Sequence, residues 1–304
     1  MTLLRSFAVL SLSACALLSA PIAFAQQALT PRQVAEKFDE ELRRAHTTLS
    51  VKFKLSTCRY KIEQGQMRCA EKPREKAVEN VVKSYGRDIR SISILSEPVT
   101  DRGIGMLGYQ YWDKNKVNDN WLYLPALNKV KRVVSIKDSK DSGSYFGSEF
   151  YIEDLEDPRI DDYSYKILGE EKVKVLEVGK GYVESPAYVL EWTPSSQRRD
   201  TTNYGRMVFW VDKKRFILLK GEFYDHDGTL FKRRTIKNLQ LVNENWMPRQ
   251  VTMDNMTTRR VTVMDRLAIA IGLDVEDDYL TQRTLTDHAY RERYLAKFRS
   301  FWRE

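Results

Sequence analysis

The sequence predicts a mainly β protein, a strongly curved antiparallel sheet with an amphipathic helix towards each end of the chain. Three observations point there. From Leu49 onward, short runs rich in Val, Ile, Tyr, Phe and Trp alternate with clusters of Gly, Pro, Asn and Asp, as strands joined by turns do. These runs follow one another at regular spacing with almost no helical period between them, which describes a continuous antiparallel meander. Helical spacing of apolar residues is confined to the stretch before Leu49 and the stretch after Asp287.

In chain order, Met1 to Arg5 carries one positive charge, Ser6 to Phe24 carries none, and Ala23-Phe24-Ala25 places small residues where a signal peptidase needs them. Residues 1–25 are therefore expected to be a signal peptide cleaved after Ala25, and residues 26–304 one exported periplasmic domain. Leu12-Ser13-Ala14-Cys15 also resembles a lipobox, so anchoring as a lipoprotein through Cys15 stays open. No other segment is long and apolar enough to read as a membrane helix.

Thr30 is a helix N-cap, Pro31 suits the first turn, and Val34, Ala35, Phe38 and Leu42 fall on one face of a helix ending near Arg44. Strands are expected at 49–62, 67–72, 80–85, 89–96, 103–112, 121–124, 129–136 and 163–175, then at 181–193, 204–211, 216–224, 230–242, 246–254 and 259–267. Asp212-Lys213, Asp225 to Gly228 and Asn243 to Asn245 supply hairpin turns. An irregular stretch, 137–162, interrupts the pattern. Tyr290, Tyr294, Phe298 and Phe301 recur at helical steps in a C-terminal extension over 287–304. Val208, Phe209 and Trp210 put large side chains on both faces of one strand, so both faces of the sheet are expected to be covered.

Outside the leader there are two cysteines, Cys58 and Cys69, placed about a central Gly65 turn. A hairpin there would bring the thiols together, and an oxidising compartment would join them; two free thiols are the alternative. The formal net charge is +8, lowered by one when Arg5 leaves with the leader. The excess is not a basic patch with interleaved aromatics, as a nucleic-acid surface would be. Stretches such as Asp212 to Arg215 and Lys232 to Arg234 read as a solvated outer face, with at most a weak attraction to anionic lipid head groups.

No metal, cofactor or catalytic residue is expected. The histidines are His46 at a helix end, His226 in a hairpin loop and His288 at the start of the last helix, too scattered for a metal site. The acids at 149–162 lack the calcium-loop spacing. Nucleophile-elbow, Walker and dinucleotide fingerprints are missing.

Two segments are distinctive: Asn120 to Val133, with Trp121, Tyr123 and Pro125, and Ser144 to Leu155, with Gly147 between Phe146 and Phe150 ahead of Glu153 and Asp154. Together with Asp101 to Gly105 and Tyr279 to Leu285, they resemble the outer membrane lipoprotein-sorting family related to the periplasmic carrier LolA, in the branch found beside RND-type lipid exporters. The resemblance implies a half-open β-barrel whose concave face is covered by helices and holds acyl chains of a lipid or lipoprotein. The expected cargo wall is Val34, Phe38, Leu42, Trp121, Tyr123, Phe146, Phe150, Trp192 and Trp246, although buried aromatics are more often plain core. Glu153 and Asp154 are expected to face a partner, an inner-membrane transporter of the RND type. The chain is expected to act as a monomer, as a carrier and not an enzyme. A docking adaptor that binds no cargo is the alternative.

Overall fold

The computed structural model describes residues 28–45, 47–133 and 143–303. The expected leader with Cys15, His46, the end of the expected strand at 129–136 and the start of the irregular stretch at 137–162 lie outside them. Fourteen strands form one strongly curved sheet: β1 Thr48–Glu63, β2 Gln66–Cys69, β3 Arg74–Tyr85, β4 Asp88–Glu97, β5 Gly105–Gln110, β6 Asp119–Leu124 and β7 Lys129–Val133. After the irregular stretch come β8 Tyr163–Glu177, β9 Gly181–Pro194, β10 Arg206–Asp212, β11 Leu218–Tyr224, β12 Leu230–Val242, β13 Asn245–Asn255 and β14 Arg260–Ile271.

Neighbours in sequence pair antiparallel almost throughout, because short Gly, Asn and Asp turns permit nothing else. The exception sets the shape. The last strand, β14, pairs with β1 from Leu49↔Ile271 to Arg59↔Arg260, so the meander runs β8 to β14 and then β1 to β7. Strands β8 to β12 also come round on themselves, since β12 pairs with β11 and meets the end of β8 at Leu239↔Glu177. Residues 143–162, the described part of the connection from β7 to β8, form a segment that crosses the inner face of the sheet.

Helix α1 (Pro31–Ala45) is capped reciprocally: Gln33 N donates to Thr30 Oγ1 at 3.2 Å, and Thr30 N donates to Gln33 Oε1 at 2.9 Å. Its apolar stripe, Val34, Ala35 and Phe38, is buried on the inner face against β8 and β13. The other helices are α2 (Ser196–Arg199), α3 (Gln282–Thr286) and α4 (His288–Arg299). The C-terminal pair takes the outer face. There Val81 of β3, Ile92 of β4, Leu107 of β5 and Tyr123 of β6 meet Tyr279, Leu285, Leu295 and Phe298. Arg299 Nη2 holds Glu79 at 2.7 Å, and Trp302 Nε1 donates to Ser50 Oγ at 2.9 Å.

This corrects one expectation. The terminal helices do not share a cavity; one lies on each face, because the apolar residues of β3 to β6 occupy both parities. Strand β10 shows the same two-sided burial, all of Met207 to Asp212 being buried.

The β1–β2 hairpin turns on Gln64 and Gly65, both at positive φ, as a two-residue hairpin requires. Tyr60, not Cys58, is opposite Cys69. The Cys58–Cys69 disulfide is therefore diagonal, with Cα atoms 5.7 Å apart.

Candidate functional site: a cavity on the inner face

A cavity of about 290 Å³ lies between α1, the crossing segment and strands β9 to β14. Its apolar wall forms where inward-facing positions of neighbouring strands meet: Met207 and Phe209 of β10, Phe223 of β11, Ile236 of β12, Val251 of β13 and Met264 of β14. Trp192 of β9 is its anchor, wholly buried, with ring centroids of Phe38 at 5.9 Å, Tyr165 at 4.9 Å and Phe209 at 5.3 Å. A second cavity of about 170 Å³ borders the first and shares Gln110, Leu155, Glu156, Asp157 and Met264 with it.

The expected cargo residues divide three ways. Phe38, Leu42, Trp192 and Trp246 line the larger cavity. Val34, Phe146 and Phe150 are buried in the core around it and line neither cavity. Trp121 and Tyr123 stand on the outer face under the C-terminal helices, where an acyl chain on the inner face cannot reach them.

Glu153 and Asp154 are corrected too. Both turn inward and are saturated within the chain. Glu153 accepts from Arg198 at 3.0 Å, Thr202 Oγ1 at 2.7 Å and Asn203 N at 2.9 Å. Asp154 accepts from Tyr151 N at 2.7 Å and Tyr204 Oη at 2.6 Å, and faces Lys232 Nζ at 3.8 Å. The neighbouring Glu149 is likewise internal, paired with Arg260 at 3.0 Å and accepting from Asn255 at 2.8 Å. The acids pin the crossing segment to α2 and the loop that follows it, and to β12, β13 and β14, instead of presenting it outward. Its aromatics follow: Tyr145 donates to Ser93 Oγ at 2.8 Å and stacks on Phe146 at 4.7 Å.

Two basic stretches read as solvated also turn inward in part. Lys232 is fully buried over the ring of Tyr151, 3.0 Å from its centroid, and burial pushes its ammonium down. Asp212 is buried and bound by Arg215 at 2.7 Å. Burial pushes the carboxyl of Asp154 up, against the pull of Lys232.

The sequence reading missed Arg234 and Arg266, which line the cavity beside Ile236 and Met264. Burial pushes both guanidiniums down, Arg266 to about 10 with Arg234 and Arg249 adding repulsion. The available signal was parity: Arg234 stands two residues from Ile236, and Arg266 two from Met264, so each arginine shares its neighbour's face. Among the described residues, no cluster of His, Cys, Asp and Glu could hold a metal. No helix among them is long and apolar enough to cross a membrane.

Comparison with known proteins gives this geometry a setting. A family model described as "-like: Uncharacterized protein" matches residues 87–287, more than half of the chain. A comparison with curated proteins finds no significant match. Among solved structures, a DUF1329 family protein from Desulfovibrio piger is 23% identical with a TM-score of 0.69, over 84% of this chain and 97% of that one. A structure from Vibrio parahaemolyticus, described as an outer membrane lipoprotein-sorting protein domain, is 25% identical with a TM-score of 0.67, over 83% of this chain and 97% of that one. A LolA superfamily protein from Nitrosomonas europaea is 20% identical with a TM-score of 0.59, over 84% of this chain and 98% of that one. By the model matched over residues 87–287 the chain belongs to that model's family, and its curved sheet and these neighbours give it a LolA-like fold.

Proposed function

We propose that this protein is a periplasmic carrier that holds the acyl chains of a lipid or lipoprotein in the inner-face cavity while they cross the cell envelope. The observation that carries the reading is the cavity itself. About 290 Å³ of space remains open among Trp192, Phe209, Phe223, Ile236 and Met264, close to the smallest volumes used for small-molecule sites. A buried methylene contributes about 0.8 kcal/mol, so an acyl chain laid against this apolar wall binds usefully after the cost of ordering it. The carrier works without cofactor or covalent chemistry, by withdrawing apolar cargo from water.

The sorting-domain likeness supports a lipoprotein or lipid as cargo. The disulfide fits an oxidising compartment reached through the leader at 1–25. An RND-type inner-membrane transporter is the proposed donor. With Glu153 and Asp154 internal, its docking surface lies elsewhere. Extraction of the protein purified from its own envelope, followed by lipid mass spectrometry, is expected to return about one acyl-bearing molecule per chain. Lipid-free protein that still captures a transporter would favour the cargo-free adaptor.

A further inference from the structure

The charges around the cavity pair off unevenly. Glu153 is held by Arg198 at 3.0 Å, Asp154 by Lys232 at 3.8 Å and Asp162 by Arg159 at 2.8 Å, and Glu41 is bound by Arg44. Asp157 is engaged as well. Burial pushes the carboxyl of Glu156 up, towards its neutral form.

Two cations are left over. Arg234 Nε has no hydrogen-bond partner, and Arg266 donates to the carbonyl oxygen of Pro248. Asp154, which Lys232 also faces, attracts the Arg234 guanidinium, but neither Arg234 nor Arg266 makes an ion-pair contact within 4 Å among the described residues. They project from β12 and β14, on either side of β13, onto the wall that carries Ile236 and Met264. A guanidinium cannot shed its proton at neutral pH as a buried lysine can. Two of them set together in an apolar wall are costly unless an anion completes them. Their planar forks suit the paired oxygens of a carboxylate or a phosphate ester.

We infer that the cargo is an anionic amphiphile, its carboxylate or phosphate head taken by Arg234 and Arg266 and its acyl chain lying against Phe38, Trp192, Phe209 and Trp246. This rests on the carrier reading and adds the head-group chemistry to it. The head stays at the β12–β14 wall and the chain runs towards α1.

The test compares ligands on the unmodified protein first. Displacement of a fluorescent acyl probe is titrated with a long-chain fatty acid, its methyl ester, the amine of the same length, a lysophosphatidic acid and inorganic phosphate. The acid and the lysophosphatidic acid are expected to bind about tenfold or more tightly than the ester, since charge-assisted bidentate bonds are the strong ones. The amine is expected to bind more weakly than the ester.

Arg234→Gln and Arg266→Gln should remove the preference for acid over ester, read as the ratio of the two affinities on the same variant, because they take away the donors for the anionic head. Thermal melting of both variants reports whether they fold. Equal binding of acid and ester by the unmodified protein, or preference for the amine, would overturn the head-group inference and leave the carrier reading standing. If neither acid nor ester displaces the probe, the carrier reading itself fails. Inorganic phosphate displacing the probe as well as lysophosphatidic acid would make the site one for a free anion, which also overturns the inference.

Discussion

Removing the carboxylate of Asp154 is expected to cost far more stability than removing the ammonium it faces. The Asp154 side chain is 1% exposed, and that of Lys232 0%. Asp154 keeps two other bonds, from Tyr151 N at 2.7 Å and Tyr204 Oη at 2.6 Å. Lys232 Nζ has no hydrogen-bond partner, only the carboxylate at 3.8 Å and the face of Tyr151. Asp154→Asn keeps one oxygen to accept from Tyr151 N, turns its amide NH2 towards Tyr204 Oη and strands the lysine, and breaking a buried pair from one side costs about 3 to 5 kcal/mol. Lys232→Met instead removes the group with the weaker solvation and should cost less than about 1.5 kcal/mol.

The double variant should recover at least about 2 kcal/mol of the Asp154→Asn loss, a coupling that neither single change shows. The deficit also has a pH signature. Burial already pushes the Lys232 ammonium down, and without Asp154 it falls further. The folded variant then binds fewer protons than its unfolded chain, so its stability rises with pH between the two values. Urea unfolding at neutral and alkaline pH measures all of this. Asp154→Asn within about 1 kcal/mol of the unmodified protein, or Lys232→Met equally damaging, would refute the pairing as the anchor of the crossing segment.

Four further outcomes are expected. Burial alone would raise Asp212 and Glu177, but hydrogen bonds from Arg215 with Ser185, and from Arg215 with Lys180, outweigh it and hold both below the usual carboxylate range. Their stabilisation is present at neutral pH and lost as pH falls below about 4, so Asp212→Asn should flatten the acid limb of a stability profile. Replacing Cys58 and Cys69 by alanine should lower stability by roughly 2 to 3 kcal/mol in the chain-entropy model, and unmodified protein should show no alkylatable thiol at these positions by non-reducing mass measurement. A Cβ at Gly205 would collide with the Asp225 carbonyl oxygen, so Gly205→Ala should cost about 1 to 3 kcal/mol in thermal unfolding by splaying the β10–β11 edge. Phe298→Ala, on the outer face against Tyr279 at 5.1 Å, should cost about 3 to 5 kcal/mol yet leave acyl-probe affinity unchanged.

The strands were legible because alternation and turn chemistry are local: every expected strand overlaps an observed one, down to β10 with both faces buried. Helix α1 was legible from its cap and its stripe. What local pattern could not settle was which face of the sheet each parity serves. Trp121 and Tyr123 carry the same alternation as Trp192, yet lie under α3 and α4 because the chain returns there after β14. The acids of the crossing segment looked like a solvated loop, since nothing at 149–154 reveals that Arg198, Tyr204, Lys232 and Arg260, far along the chain, will meet them. The arginine pair was hidden the same way. Lys232 to Arg234 reads as an outer face until β12 is placed with Ile236 inward.

The most direct measurement is the titration of the protein with a fluorescent acyl probe, alongside Leu42→Trp, which fills the α1 side of the cavity, and Trp121→Ala on the outer face. Saturable binding to the unmodified protein, weakened about tenfold or more by Leu42→Trp and untouched by Trp121→Ala, is the expected result. No binding to the unmodified protein, or binding that Leu42→Trp leaves intact while Trp121→Ala abolishes it, would contradict a cargo site on the inner face.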